Sequence, residues 1–135
     1  MAENARIAAD LMATFGADME PWWAIADEDL VLEFPFARSI GMPQRVTGKH
    51  ASRAYLEKVV SGLEGLRFTG ITARETGNPG EVVVEYVGTC PAPNGTYDQQ
   101  YITIMRFKEG RLILFREYWD TTEVTRAFGD LAAAF

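Results

Sequence analysis

EVVVEYVGTCPAPNGTYDQQYITIMRFKEGRLILFREYWD, residues 81–120, decides the fold. It holds three long runs rich in β-branched and aromatic residues, divided by PAPNG at 91–95 and KEG at 108–110. A fourth run, LRFTGITARET at 66–76, precedes it and is set off by NPG at 78–80. Such runs between glycine and proline punctuation read as strands joined by turns. The connections are too short for crossover helices, so the four strands are expected to pair antiparallel in sequence order.

Upstream the periodicity changes. Ile7, Leu11 and Phe15 stand four apart, with Ala8 and Met12 beside them, which predicts an amphipathic helix stopped near Gly16. Asp18 is placed to cap a short second helix carrying Met19, Trp22, Trp23 and Ile25, with Pro21 tolerable in its first turn. DLVLEFPF, 29–36, reads as a strand ended by Pro35, and 38–48 as loop. Residues 49–63 return to helical period, with Tyr55 and Val59 on one line and Leu56, Val60 and Leu63 on the next. The tail from Thr121 carries a short helix and a loose end. Helices followed by a meander make an α+β domain spanning 1–135, with the helices packed on one face of a curved sheet.

Composition narrows the function classes. Net charge is -6 and no Lys/Arg stripe forms, so neither nucleic acid nor an anionic membrane is an expected partner. Cys90 is the single cysteine and His50 the single histidine, which rules out an intrachain disulfide, a thiolate metal cluster and most zinc sites. No metal and no organic cofactor is expected. The N-terminus lacks the basic start and apolar run of a signal peptide, and no stretch is apolar for long enough to span a bilayer. A cytoplasmic protein is the expectation.

Alternation assigns the strand side chains to faces. In the last strand, Ile113, Phe115, Glu117 and Trp119 share one face; Leu112, Leu114, Arg116, Tyr118 and Asp120 share the other. Glu117 therefore stands in line with core residues. A carboxylate on an apolar face is costly when ionised, and burial drives its pKa toward the range useful for a general acid or base. The residues by themselves leave two readings: a carboxylate in a pocket, or one at a frayed strand end or paired with an arginine. In the preceding strand Gln99 and Tyr101 share a face, and their polar tips suit ligand contacts.

The order of elements, EFPF at 33–36, Gly48-Lys49 opening a helix, and FREYWD at 115–120 together resemble the nuclear transport factor 2-like superfamily. The likeness is greatest to its SnoaL-like branch and covers roughly residues 5–128. The resemblance implies a cone, in which a bent antiparallel sheet wraps the helices around an apolar pocket. It also implies a homodimer through the outer sheet face, where Val83, Val87, Ile102, Ile104, Leu112 and Leu114 are expected to form an apolar patch. Limonene-type epoxide hydrolases and phenazine-biosynthesis A/B-type proteins both keep a catalytic acid at the position matched by Glu117, which makes Glu117 the implied acid/base. On that reading Arg116 and Asp120 stay on the outer face.

The departures from these relatives are informative. The epoxide hydrolases' Arg-x-Asp falls on Val84 and Tyr86, so their water-activating trio is missing. The phenazine proteins' helix histidine falls on Tyr55. Scytalone dehydratase needs two histidines, and this chain has one. Ketosteroid isomerases use a phenol against a developing oxyanion, a role open to Tyr55, Tyr86 or Tyr101. The expected site is thus Glu117 and Tyr55 as catalytic groups, with Tyr86, Gln99, Tyr101, Phe115 and Trp119 as ligand contacts. Glu33 is a candidate second carboxylate, and Trp22, Trp23 and Phe34 join Trp119 as candidate aromatic walls. The expected function is cofactor-independent acid/base chemistry (isomerisation, cyclisation or elimination) on a small, apolar, carbonyl- or ring-bearing metabolite. Two other functions are open on the same scaffold: a non-catalytic module that binds a small ligand, and an assembly protein.

Overall fold

The computed structural model describes residues 3–129. The expected loose C-terminal end lies outside the described residues. Helix α1, Glu3–Thr14, leads through a short turn to α2, Glu20–Ile25, which runs directly into strand β1, Ala26–Glu33. A short 3-10 turn at Ala37–Ile40 and strand β2, Arg45–Thr47, precede helix α3, Lys49–Gly62. Strands β3, Arg67–Glu75, β4, Glu81–Ala92, β5, Gly95–Lys108, and β6, Arg111–Trp119, form the meander, and helix α4, Thr121–Phe128, follows.

The strands form one six-stranded sheet in the order β2-β1-β6-β5-β4-β3. The meander is antiparallel in sequence order, as expected. The sheet as a whole is mixed, because β1 lies parallel to β6. The helical segment 49–62 and the meander separate β1 from β6 in sequence, so nothing local obliges these two strands to run opposite ways. Residues 38–48 are not all loop: β2 pairs antiparallel with β1 through Val31↔Thr47 and Glu33↔Arg45.

Turn chemistry sets the register of the last hairpin. Glu109 and Gly110 both have positive φ, 53° and 77°, between the paired Lys108 and Arg111. That is the two-residue hairpin geometry whose twist matches the strands. The β5–β6 ladder then slips between Arg106 and Phe107: Arg106 faces Leu114, while Phe107 faces Leu112. Ile113 is the extra residue of a bulge, and strict alternation fails there. Leu112 consequently turns inward and is fully buried, which corrects its expected place on the outer face; Ile113 is half-buried. Beyond the bulge alternation resumes, with Phe115, Glu117 and Trp119 opposite Met105, Thr103 and Tyr101.

The concave face of the sheet carries the core. Val82, Val84, Tyr86, Tyr97, Tyr101, Met105, Leu112 and Phe115 pack there against Leu11, Met12, Phe15 and Trp22. Trp22 is sealed by donating its indole N–H to the Leu11 carbonyl at 2.9 Å. Gly88 leaves room for Phe68, since a Cβ there would stand 2.9 Å from the Phe68 ring.

Candidate active site

Between the sheet and α1, α3 and α4 lies a cavity of about 60 Å³. That is room for a few waters or a small molecule. It is lined by Phe15, Phe34, Met42, Leu56, Val59, Leu63, Leu66, Phe68, Phe115 and Val124, together with the polar-tipped Tyr55, Tyr97, Tyr101, Trp119 and Glu117. Glu117 is the only charged residue among them.

Three strands position that carboxylate. Thr103 on β5 pairs with Glu117 on β6, and Tyr86 on β4 lies one strand further along the same face. The Tyr86 hydroxyl is 2.5 Å from Glu117 Oε2 and 2.5 Å from Thr103 Oγ1. An ionised carboxylate only accepts, so the single phenol proton goes to Glu117 and the Thr103 hydroxyl donates to the Tyr86 oxygen. Thr103, Tyr86 and Glu117 then form a directed relay ending on the carboxylate. Burial pushes Glu117 up to about 7, against the lowering effect of hydrogen bonds from Tyr86 and Trp119. Glu117 retains some accessible surface, which lies along the cavity. Desolvation is the largest effect and outweighs those two donors.

The structure divides the expected residues into two groups. Glu117, Tyr55, Tyr101, Phe115 and Trp119 line the cavity together. Tyr55 is half-buried on α3, its ring 5.7 Å from that of Phe34, and its pKa is raised by burial and then by the charge of Glu117.

Two expected ligand contacts take other roles. Tyr86 is 3% exposed and does not line the cavity; it stands behind Glu117 as a donor and stacks on Tyr101 with centroids 4.9 Å apart. Gln99 is 2% exposed, and its amide is fully engaged. Its Nε2 donates to the Tyr97 hydroxyl and the Asp120 carbonyl, and its Oε1 accepts from the backbone N–H of Asp120 and Gln100. It clamps the β6–α4 joint, where the Asp120 side chain caps α4 through Thr122 N–H at 2.9 Å.

Glu33 also departs from expectation. It lies outside the cavity, bonded to Arg45 and to Arg116 Nε at 2.7 Å, and the Arg45 hydrogen bond comes first among the causes that lower its pKa. Of the aromatic candidates, Phe34 and Trp119 line the cavity, whereas Trp22 and Trp23 do not. His50 is exposed. Tyr97 and Thr103 were not singled out by the sequence, although both share the inward alternation of β5 with Gln99 and Tyr101. Among the described residues no group of three or more His, Cys, Asp or Glu is placed to hold a metal ion, and no helix is long and apolar enough to cross a membrane.

An α+β sheet curved around helices, with an apolar cavity at its concave face, is the nuclear transport factor 2-like architecture. The same fold is seen in such a protein from Burkholderia pseudomallei, 22% identical, covering 94% of this chain and 98% of that one with a TM-score of 0.79. Within that class the chain belongs to the SnoaL-like domain family, whose profile matches residues 8–115. It is similar to the uncharacterised protein YesE of Bacillus subtilis, 32% identical over 83% of this chain and 77% of that protein. It is also similar to an uncharacterised PhzA/B-like protein of Pseudomonas aeruginosa, 29% identical over 87% of this chain and 83% of that protein. A crystal structure from Bacillus subtilis, provisionally named an isomerase, is 31% identical with a TM-score of 0.81, covering 95% of this chain and 94% of the other.

Proposed function

We propose that the protein is an enzyme in which Glu117 moves a proton on a small, apolar carbonyl compound, with no metal or organic cofactor. The observation that carries this reading is the Glu117 carboxylate, held at about 7 by burial, as the one charged group among the described residues that line the cavity. A base poised near neutral pH is ionised in enough molecules to accept a proton and is a strong enough acid to return it. The relay from Thr103 through Tyr86 fixes the carboxylate's orientation without using a cavity-facing group.

In the reaction, Glu117 takes a proton from the carbon next to the carbonyl. The C–H electron pair forms a C=C bond, and the carbonyl π electrons move to oxygen. In a β,γ-unsaturated carbonyl compound the proton returns to the γ carbon, which shifts the double bond. Loss of a β-substituent, which takes the proton, gives elimination. Attack of the enolate carbon on a second carbonyl, whose oxygen takes the proton, gives cyclisation. The developing negative charge on oxygen needs a donor, and the phenols of Tyr55, Tyr97 and Tyr101 line the cavity. Phe115, Trp119 and Phe34 supply the apolar contact. The name of the B. subtilis structural relative, an isomerase, is in keeping with this chemistry.

The test is Glu117→Gln, which keeps shape and removes the titrating group. With a turned-over substrate in hand, kcat should fall about 10²–10⁴-fold with little change in binding. A Gln variant of wild-type rate would sink the proposal. Unchanged ligand binding by a wild-type protein that turns nothing over would favour the binding-module alternative.

A further inference from the structure

Glu33, Arg45 and Arg116 stand in one row across three strands. Glu33 on β1 pairs with Arg45 on β2 and with Arg116 on β6. With Pro35 and Gln44 they line an open groove of about 500 Å³. Among the described residues this groove shares no lining residue with the cavity that holds Glu117, and the exposed apolar Phe36, Val87 and Ile102 do not line it. Two cations share one anion there. Arg116 Nε donates to Glu33 Oε1 at 2.7 Å, and Arg45 donates Nε and Nη2 to Glu33 Oε2. A guanidinium carries five N–H donors, whereas a carboxylate has about four acceptor positions. These three bonds therefore leave most of the donors of the two arginines for another acceptor. Glu33 is the only acidic residue among the described residues that line the groove, so the acceptor is not a second carboxylate of its wall.

We infer that this row is a seat for the carboxylate of a free small molecule, bonded to the guanidinium N–H groups that Glu33 leaves unused. The charges fit. Glu33 stays ionised at neutral pH, because the Arg45 hydrogen bond and then that of Arg116 lower its pKa. Two guanidiniums and one carboxylate carry one net positive charge, which a monoanion balances. A planar carboxylate also matches the guanidinium fork. The row is held before a ligand arrives: the Glu33 and Arg116 side chains are 15% and 25% exposed, and strand pairing on both sides of Glu33 sets their spacing. Groups already held in place lose less freedom when they bind. Pro35 adds apolar surface to the groove, which favours a carboxylate with an apolar body over a bare inorganic anion. Arg116 and Glu117 are neighbours on β6 and point to opposite faces, so the seat lies behind the sheet from the cavity and is independent of the acid/base reading.

Benzoate is the probe, with benzamide as its uncharged match and inorganic phosphate as a second anion. Binding to the full chain is followed by nitrogen-15 NMR titration, which reads the backbone amides of Glu33, Arg45 and Arg116 and the arginine Nε–H signals. Wild type should bind benzoate saturably, in preference to benzamide and to phosphate, and more weakly as sodium chloride is raised. Signals at the groove should move, while cavity amides such as those of Leu56 and Phe68 stay in place. Arg116→Gln should bind benzoate about tenfold more weakly, the worth of about one hydrogen bond between charged groups. Arg45 is the more exposed arm, at 65%, so Arg45→Gln should weaken binding by a smaller factor. That variant carries the test if Arg116→Gln does not fold.

The inference is overturned by benzoate shifts confined to the cavity residues, by an affinity unchanged in either folded arginine variant, by equal binding of benzamide, or by no saturable binding. Phosphate bound more tightly than benzoate overturns the assignment of the seat to a carboxylate.

Discussion

At the scale of the residue, Glu117 links function to stability. Its proton is held more tightly in the folded chain, at about 7, than at the ordinary glutamate value of 4.5. Stability from this group is therefore full below about 4.5 and is lost as pH rises through about 7. The upper bound on the loss is on the order of 3–4 kcal/mol, since the rise from 4.5 to about 7 is worth about 1.4 kcal/mol per pKa unit. Glu117→Gln should remove this slope, so the variant's melting temperature should gain on wild type between pH 5 and pH 8. Parallel melting curves at the two pH values would contradict the assigned burial. Tyr86 makes the complementary prediction. Its hydrogen bond lowers the Glu117 pKa, so Tyr86→Phe should move the carboxyl titration upward, as read by carbon NMR of the glutamate carboxyl. The same change strips the buried Thr103 hydroxyl of its partner and should cost about 1–3 kcal/mol. A titration that stays in place would show that Tyr86 does not support the carboxylate.

At the scale of the element, α4 closes one side of the cavity. Val124 lines it and Phe128 packs edge-on against Tyr97, centroids 5.1 Å apart. One arginine clasps this helix to the β4–β5 hairpin. Arg126 donates to Glu123 at 2.7 Å and to the carbonyls of Thr96 and Asn94, while Asn94 donates back to the Arg126 carbonyl at 3.0 Å. The Arg126 hydrogen bond holds Glu123 down at about 2, with a second from Asp98 N–H. The Glu123 arm of the clasp is therefore present at neutral pH and is lost only as pH falls from the ordinary glutamate range toward about 2. Arg126→Ala should speed amide exchange across α4 and the hairpin tip at pH 7 while leaving α1 and the central strands protected. Uniform exchange across the chain would mean that α4 is not an independently opening unit. The bulge at Ile113 belongs to this scale too, since one extra residue re-aims Leu112 into the core.

At the scale of the whole molecule, the outer sheet face is the unsettled surface. Phe36, Val87 and Ile102 are 55%, 44% and 47% exposed, and the ring of Tyr118 lies 5.5 Å from that of Phe36. Val83 and Ile104 are half-buried beside them, whereas Leu114 is buried. We propose that a second copy of the chain covers this face, which would remove the exposed apolar side chains of both copies from water. Light scattering at micromolar concentration should give twice the chain mass, and Ile102→Lys should halve it. A monomeric wild type would refute the dimer and leave the cavity argument untouched, since that argument rests on the residues of one chain.

The sequence by itself determined the meander, its turns and the α+β class, and set Glu117 in line with core residues. These rest on local rules: φ > 0 at Glu109-Gly110, alternation along a strand, and glycine and proline between apolar runs. The same alternation already set Tyr97, Thr103 and Gln99 on the inner face. What it could not say is which inward polar tips meet each other. Gln99 could pass for a ligand contact until its amide was seen closing on Asp120, and Tyr86 until it was seen behind Glu117. Glu33, one residue from the inward-facing Phe34, went outward to two arginines, Arg45 and Arg116. Only the tertiary structure decided these partnerships and the parallel β1–β6 pairing, because each joins residues far apart in the chain. Spacing constrains near neighbours, whereas the balance between burying a polar group and partnering it is struck only when distant strands come together.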